Sequence, residues 1–211
     1  MAGEERTGSL LRALAASKPG GRVLELGTGT GVSTAWLLDG LDSSGSLVTV
    51  DVDESFQRVA REELGSDPRV EFVLEDGVAY LQRQDPMSFD LVFADAMAGK
   101  YDGLESALAV VKPGGFYIVD DMLPQPNWPD GHATRVEELL ARMSKLAGFS
   151  IVPMVWATGV VVVVRRSGFE GFGEWNSAAD DEDFRNLCPV TSETPQKLPP
   201  ILPVTPGSTV K

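Results

Sequence analysis

The stretch Val23-Leu24-Glu25-Leu26-Gly27-Thr28-Gly29-Thr30-Gly31-Val32-Ser33 decides the reading of this chain. An apolar strand runs into an acidic residue, and glycines at every second position then carry the backbone through a tight turn. A helix is expected from Ser33 or Thr34, whose hydroxyls suit an N-cap. A Cβ in the turn would obstruct positive φ angles and the approach of a ligand to the main chain. Strand, glycine turn and helix in that order make a seat for a flat, nucleoside-like molecule at the carboxyl end of a strand.

A dinucleotide fingerprint reads G-x-G-x-x-G and offers a helix N-terminus to a pyrophosphate. This chain reads G-x-G-x-G behind Glu25, and a carboxylate is badly placed beside phosphates. It suits a ligand with an ammonium and no phosphate, such as S-adenosylmethionine. Working outward, Leu47–Val50 is a second strand ending at Asp51, about twenty residues on, where a carboxylate can accept both ribose hydroxyls. Val70–Leu74 is a third, followed by Glu75-Asp76-Gly77, with Asp76 a candidate acceptor for the adenine amino group. Phe89–Ala94 is a fourth, ending at Asp95. The turn Lys112-Pro113-Gly114-Gly115 leads into a fifth, Phe116–Val119, ending at Asp120-Asp121. Each acid also has a plain reading as a helix cap or a solvated loop residue. Together they would line one crevice of an open parallel sheet.

These motifs carry a resemblance. VLELGTGTGVST (23–34), VTVDVD (48–53), EDG (75–77), FDLVFADAMAGKY (89–101) and KPGGFYIVDDML (112–123) resemble class I S-adenosylmethionine-dependent methyltransferases. Within that class they are similar to the small-molecule O-methyltransferases related to catechol O-methyltransferase, over about residues 8 to 166. The resemblance implies a doubly wound α/β fold with a mostly parallel seven-stranded sheet and an antiparallel last strand. It implies donor binding by Glu25, Gly27, Thr28, Gly29, Gly31, Asp51, Asp76, Gly77 and Asp95. It also implies a divalent cation, magnesium in the family, on Asp95, Asp120 and Asp121, where the family has Asp, Asp and Asn. The family's basic lysine falls at Ala98, and Lys100 stands two residues further on. Either Lys100 substitutes through a loop shift or deprotonation is arranged differently.

An oxygen nucleophile must lose its proton, and a phenol has a pKa of about 10, judging by tyrosine. His132, the only histidine, follows a proline-rich loop leaving the fifth strand, and is the second candidate base. It also reads as a solvated residue before a helix. Trp128 in the same loop reads equally as a lid or an anchor.

Alternating strand and helix patterns point to a sheet covered on both faces. Helices are expected at 8–17, 33–41, 54–64, 78–84, 103–111 and 133–146. The apolar run Ile151–Val164 is too short to span a membrane and is broken by Pro153 and Thr158-Gly159, so it reads as two strands. The start, Met1–Thr7, is polar, without the pattern of a signal peptide. Cys188 is the single cysteine, so a cytoplasmic enzyme is the expectation. Net charge is −13, from 31 acidic against 18 basic residues, without the basic clusters that nucleic acid requires. A small-molecule acceptor is expected instead, in a pocket either open or completed by the second subunit of a homodimer.

Residues 1–166 are expected to form the methyltransferase domain. From Ser167 the composition turns glycine-rich, then acidic at Asp180–Asp183, then proline-rich, which predicts a disordered tail over 167–211. Phe169, Phe172 and Trp175 would pack back on the domain or anchor a partner. Two other functions fit parts of the pattern. A nicotinamide-dependent oxidoreductase would need a glycine spaced for pyrophosphate and a proton-relay pair, and the sequence has neither. A donor-binding regulator that lost turnover with the family lysine is the other.

Overall fold

Acid-terminated apolar runs become the centre of a sheet. The computed structural model describes residues 2–168 and orders the elements as α1 (Ala2–Ala16), β1 (Arg22–Leu26), α2 (Val32–Gly40), β2 (Ser46–Asp51), α3 (Glu54–Leu64), β3 (Val70–Leu74), α4 (Gly77–Gln82), β4 (Phe89–Ala94), α5 (Leu104–Val110), β5 (Val111–Val119), α6 (His132–Met143), β6 (Phe149–Met154) and β7 (Val160–Arg165). The tail, with Cys188, Phe169, Phe172 and Trp175, lies outside the described residues apart from its first two positions. The strands make one seven-stranded sheet in the order β3-β2-β1-β4-β5-β7-β6. β1 to β5 pair in parallel, and β7 runs antiparallel between β5 and β6. The apolar run after Pro153 is therefore the expected hairpin. Among the described residues no helix is long and apolar enough to cross a membrane.

Strand alternation splits the core into two layers, because successive side chains point to opposite faces. Val23, Leu91, Phe93 and Ile118 meet Leu11 of α1 and Leu37 of α2 on one face. Leu24, Leu26, Val92 and Val119 meet Leu104 of α5 and Leu139 of α6 on the other. Glu25 is two residues from Val23 and so projects toward α2, not toward the opposite layer.

Three local expectations need correction. Helix α1 starts at Ala2 rather than Gly8. Gly8 is a packing residue: a Cβ there would lie 2.3 Å from the Trp36 ring of α2. Neither Ser33 nor Thr34 caps α2, whose N-cap is Gly31 at φ 91 without a side-chain hydrogen bond. Strand β5 starts at Val111 rather than Phe116, with an irregularity between the pairs Phe89↔Val111 and Leu91↔Phe116 that absorbs the glycine turn. By contrast, α3 has the expected bounds, because Asp53 accepts from the backbone N–H of Ser55 and Phe56 and fixes its start.

Candidate functional site

β1 lies between β2 and β4, where the strand order reverses, so its carboxyl end faces the switch-point crevice of the sheet. The Gly27 N–H donates to Val50 O and the Asp95 N–H to Leu26 O, both at 2.9 Å, which binds the glycine turn to the ends of β2 and β4. Gly27 has φ 101, and a Cβ there would stand 2.9 Å from the carbonyl oxygen of Asp95. Gly29, at φ 52, has nothing within 4 Å of where its Cβ would be, so this peptide is open to a ligand.

Glu25 is fully buried under the turn. Its Oε2 accepts from the hydroxyls of Thr34 and Thr49, each at 2.6 Å. Thr28 Oγ1 is 2.7 Å from Thr49 Oγ1 and accepts from Gln57 Nε2 at 3.2 Å. Because the Thr49 hydrogen goes to Glu25, Thr28 donates to Thr49, and the chain runs in one direction from α3 to the carboxyl. Oε1 of Glu25 is buried without a partner. Burial pushes this carboxyl up to about 7, against the hydrogen bonds from Thr34 and Thr49.

At the end of β2, Asp51 accepts from the Gly29 N–H on Oδ2 at 2.8 Å and from the Asp53 N–H on Oδ1 at 2.9 Å. Each carboxylate oxygen keeps further acceptor capacity. Asp76 is exposed and caps α4, its Oδ1 accepting from the Ala79 N–H at 2.9 Å. Gly77 is buried against Ala98, where a Cβ would stand 2.7 Å from the alanine's. Thr28 lies in the polar chain below the turn rather than on its open side.

Ala94 pairs with Val119, so Asp95 and Asp120 leave adjacent strands side by side. Asp95 opens to water at the rim. Protein nonetheless surrounds it closely enough that lost hydration, with the charges of Asp120, Asp121 and Glu25, pushes its carboxyl up to about 7 against the pull of Lys100. Water reaches this group in the open crevice, so the rise is felt in full only when the crevice is covered. Asp120 is buried, and its Oδ1 accepts from the Thr158 hydroxyl at 2.6 Å and the Asp121 N–H at 2.8 Å. Burial raises Asp120 too, against the hydrogen bond from Thr158. Asp121 sits at φ 61, a left-handed conformation uncommon outside glycine.

The expected metal set is not brought together as one cluster. Among the described residues no group of three or more His, Cys, Asp or Glu side chains is placed to hold a metal ion. Asp120 spends an oxygen on Thr158 and Asp121, and the nearby positive charge is a side chain. Lys100 is 4% exposed, in the loop between β4 and α5.

His132, after the proline-rich loop, is the first residue of α6. Its Nε2 is 3.1 Å from the Tyr101 hydroxyl, and its ring lies 4.5 Å from that of Trp128. Burial, then the Lys100 charge, lowers the imidazole pKa. Burial pushes the Tyr101 phenol up to about 12, so it stays protonated and donates to Nε2. Trp128 is partly buried against the inner core, an anchor that sets the position of His132. Tyr101 is a partner that the sequence reading did not single out. Lying next to Lys100, it was visible there only as an aromatic residue after a charge.

Residues 24–122 match a family described as a methyltransferase domain. A protein from Mycobacterium ulcerans, provisionally named an O-methyltransferase, is 33% identical over 171 residues, 75% of this chain and 75% of that one. The O-methyltransferase TomG of Streptomyces achromogenes, involved in tomaymycin synthesis and solved with S-adenosylmethionine, superposes with a TM-score of 0.62 at 28% identity over 76% of this chain and 80% of its own. An O-methyltransferase of Bacillus cereus, solved with S-adenosylhomocysteine, gives a TM-score of 0.62 at 25% identity over 75% and 80%. The chain belongs to the S-adenosylmethionine-dependent O-methyltransferases.

Proposed function

We infer that this protein transfers the methyl group of S-adenosylmethionine to an oxygen of a small molecule. The observation that carries this reading is the buried, partnerless Oε1 of Glu25 on the strand that runs into the open glycine turn. A buried acceptor without a donor is costly, roughly 1–3 kcal/mol, and an ammonium is the ligand group that would relieve it. Carboxylates rather than basic residues line the turn, which favours a phosphate-free nucleoside. In this reading Asp51 takes the ribose hydroxyls, Asp76 and Gly77 the adenine edge, and Asp95 faces the sulfonium end.

When bound, the donor supplies a methyl on positive sulfur: the acceptor oxygen forms the O–C bond as the C–S bond breaks, its electron pair remaining on sulfur. The chain's own residues align that displacement, exclude water and take the proton. Tyr101 relays the acceptor's hydroxyl proton to Nε2 of His132, which is unprotonated at neutral pH. Strong net negative charge disfavours nucleic acid as acceptor.

Calorimetric titration with S-adenosylhomocysteine and with NADH, followed by a labelled-donor screen of phenolic acceptors, tests this reading. Binding of the first ligand and not the second is expected, with an O-methylated product. Asp51→Ala is expected to weaken donor binding at least tenfold, about 1.4 kcal/mol. Absence of binding by the wild type would overturn the reading.

A further inference from the structure

Helix α3 buries only two of its residues, and one of them is polar: Gln57, one turn from Ala60. Both meet the glycine turn. A Cβ at Gly31 would lie 2.8 Å from that of Ala60, and Gln57 Nε2 donates to Thr28 Oγ1 at 3.2 Å. The turn is thus seated on α3 at both ends, and the Gly31 N–H closes it onto Thr28 O at 3.0 Å. Burying a glutamine costs side-chain entropy and obliges the fold to satisfy its amide. An apolar side chain would carry no such obligation, so the amide needs a reason.

Its partners fix its orientation. Nε2 donates its second hydrogen to Val73 O at 2.9 Å, and Oε1 accepts from the Arg61 guanidinium at 3.0 Å. A carbonyl only accepts and a guanidinium only donates, so the amide cannot be flipped. Arg61 also donates to Phe72 O at 2.9 Å, on the edge strand β3. From there the donors follow one another inward: Arg61 to Gln57, Gln57 to Thr28, Thr28 to Thr49, and Thr49 to Oε2 of Glu25. Gln57, Thr28, Thr49 and Glu25 are all buried, and hydrogen bonds in such a series polarise one another in the same sense. The series ends on one carboxyl oxygen, where Thr34 joins it, and the other oxygen is the orphan Oε1.

We propose that Gln57 is a positioning residue for the methyl donor: by holding Thr28 and setting the direction of the chain, it commits Oε2 of Glu25 to the protein and reserves Oε1 for the donor's ammonium. The proposal rests on the methyltransferase reading and adds to it a residue that acts only through Thr28, Thr49 and Glu25. It also divides recognition of the donor in two. The amino-acid end is read through this chain. The adenosine end is taken by Asp51 and Asp76, neither of which belongs to it.

The experiment uses the full chain and two ligands, S-adenosylhomocysteine and 5′-methylthioadenosine, which keeps the adenosine and thioether but has no ammonium. Dissociation constants are measured by calorimetry for wild type, Gln57→Glu, Thr28→Val and the double variant, each below its melting temperature. Gln57→Glu keeps the side-chain shape and an acceptor for Arg61 but takes the Thr28 hydrogen instead of supplying one. Thr28→Val breaks the chain without adding charge. Each single variant is expected to bind S-adenosylhomocysteine at least tenfold more weakly, with 5′-methylthioadenosine within threefold of wild type. Thr28→Ser, which keeps the hydroxyl, is expected to bind both as wild type does. Because both substitutions act along one path, the double variant is expected to fall no more than about threefold below the weaker single one. Equal losses for the two ligands would make Gln57 a packing residue only and overturn the proposal. So would S-adenosylhomocysteine affinity kept within twofold in both single variants, or losses that multiply in the double variant. All three leave the methyltransferase reading intact. A wild type that binds no S-adenosylhomocysteine overturns both.

Discussion

The Thr34 hydroxyl donates to Oε2 of Glu25 at 2.6 Å, joining the first turn of α2 to the middle of β1 beneath the glycine loop. The same oxygen takes the Thr49 hydroxyl from β2, so one carboxyl ties three consecutive elements together. Its second oxygen is left for whatever occupies the turn. Under the proposed function, donor binding and the packing of the switch point share a single titratable group.

That sharing has a pH signature. A carboxyl raised from its usual 4.5 to about 7 by burial contributes stability that is fully present below pH 4.5 and is lost as pH rises through 7. The rise corresponds to roughly 3 kcal/mol. Ligand-free wild type is expected to lose thermal stability between pH 5 and pH 8 relative to Glu25→Gln, which does not titrate. Parallel melting curves of the two proteins across that range would contradict the assignment, as would unchanged donor affinity in the variant.

The apolar runs closed by Glu25, Asp51, Asp95 and Asp120 were legible in sequence because strand periodicity and terminal acids are local features. So was α3, whose Asp53 cap is three residues from the N–H it fixes. What could not be read was each feature decided by a contact distant in sequence. Thr34 looks like a cap until Glu25, nine positions earlier, claims its hydroxyl. Thr49 amid Leu47, Val48 and Val50 was the visible clue, a polar residue on a buried strand. The acids at 95, 120 and 121 read as a metal set by resemblance; Thr158, 38 positions after Asp120, takes part of that capacity. The Tyr117 contact to the Gly99 carbonyl, 18 positions away, was likewise out of reach.

In the proposed mechanism the Tyr101–His132 pair, 3.1 Å apart, sets the acid limb of turnover. Burial and the Lys100 charge lower the imidazole from its ordinary 6.5, so the base form persists below that pH. At saturating donor, kcat is expected to fall only below pH 6.5. His132→Ala should cost more than tenfold in kcat, about 1.4 kcal/mol. Tyr101→Phe, which removes the 3.1 Å contact, should lower kcat and displace the limb. An unchanged profile in both variants would exclude His132 as the base.

Tyr117 tests whether loop position matters to chemistry. Its side chain is wholly buried, and its hydroxyl meets the Gly99 carbonyl next to Lys100. Tyr117→Phe keeps the ring and leaves that carbonyl unsatisfied, a cost of roughly 1–3 kcal/mol. A purely structural role would lower the melting temperature and leave kinetics at permissive temperature unaltered. A positioning role predicts more: kcat/KM for the acceptor falls at least tenfold, while S-adenosylhomocysteine affinity stays within twofold, because the glycine turn hangs from β1, β2 and β4 rather than from Gly99. Equal losses in donor and acceptor parameters would instead mean that the whole crevice had loosened, and Tyr117 would then be a core residue only.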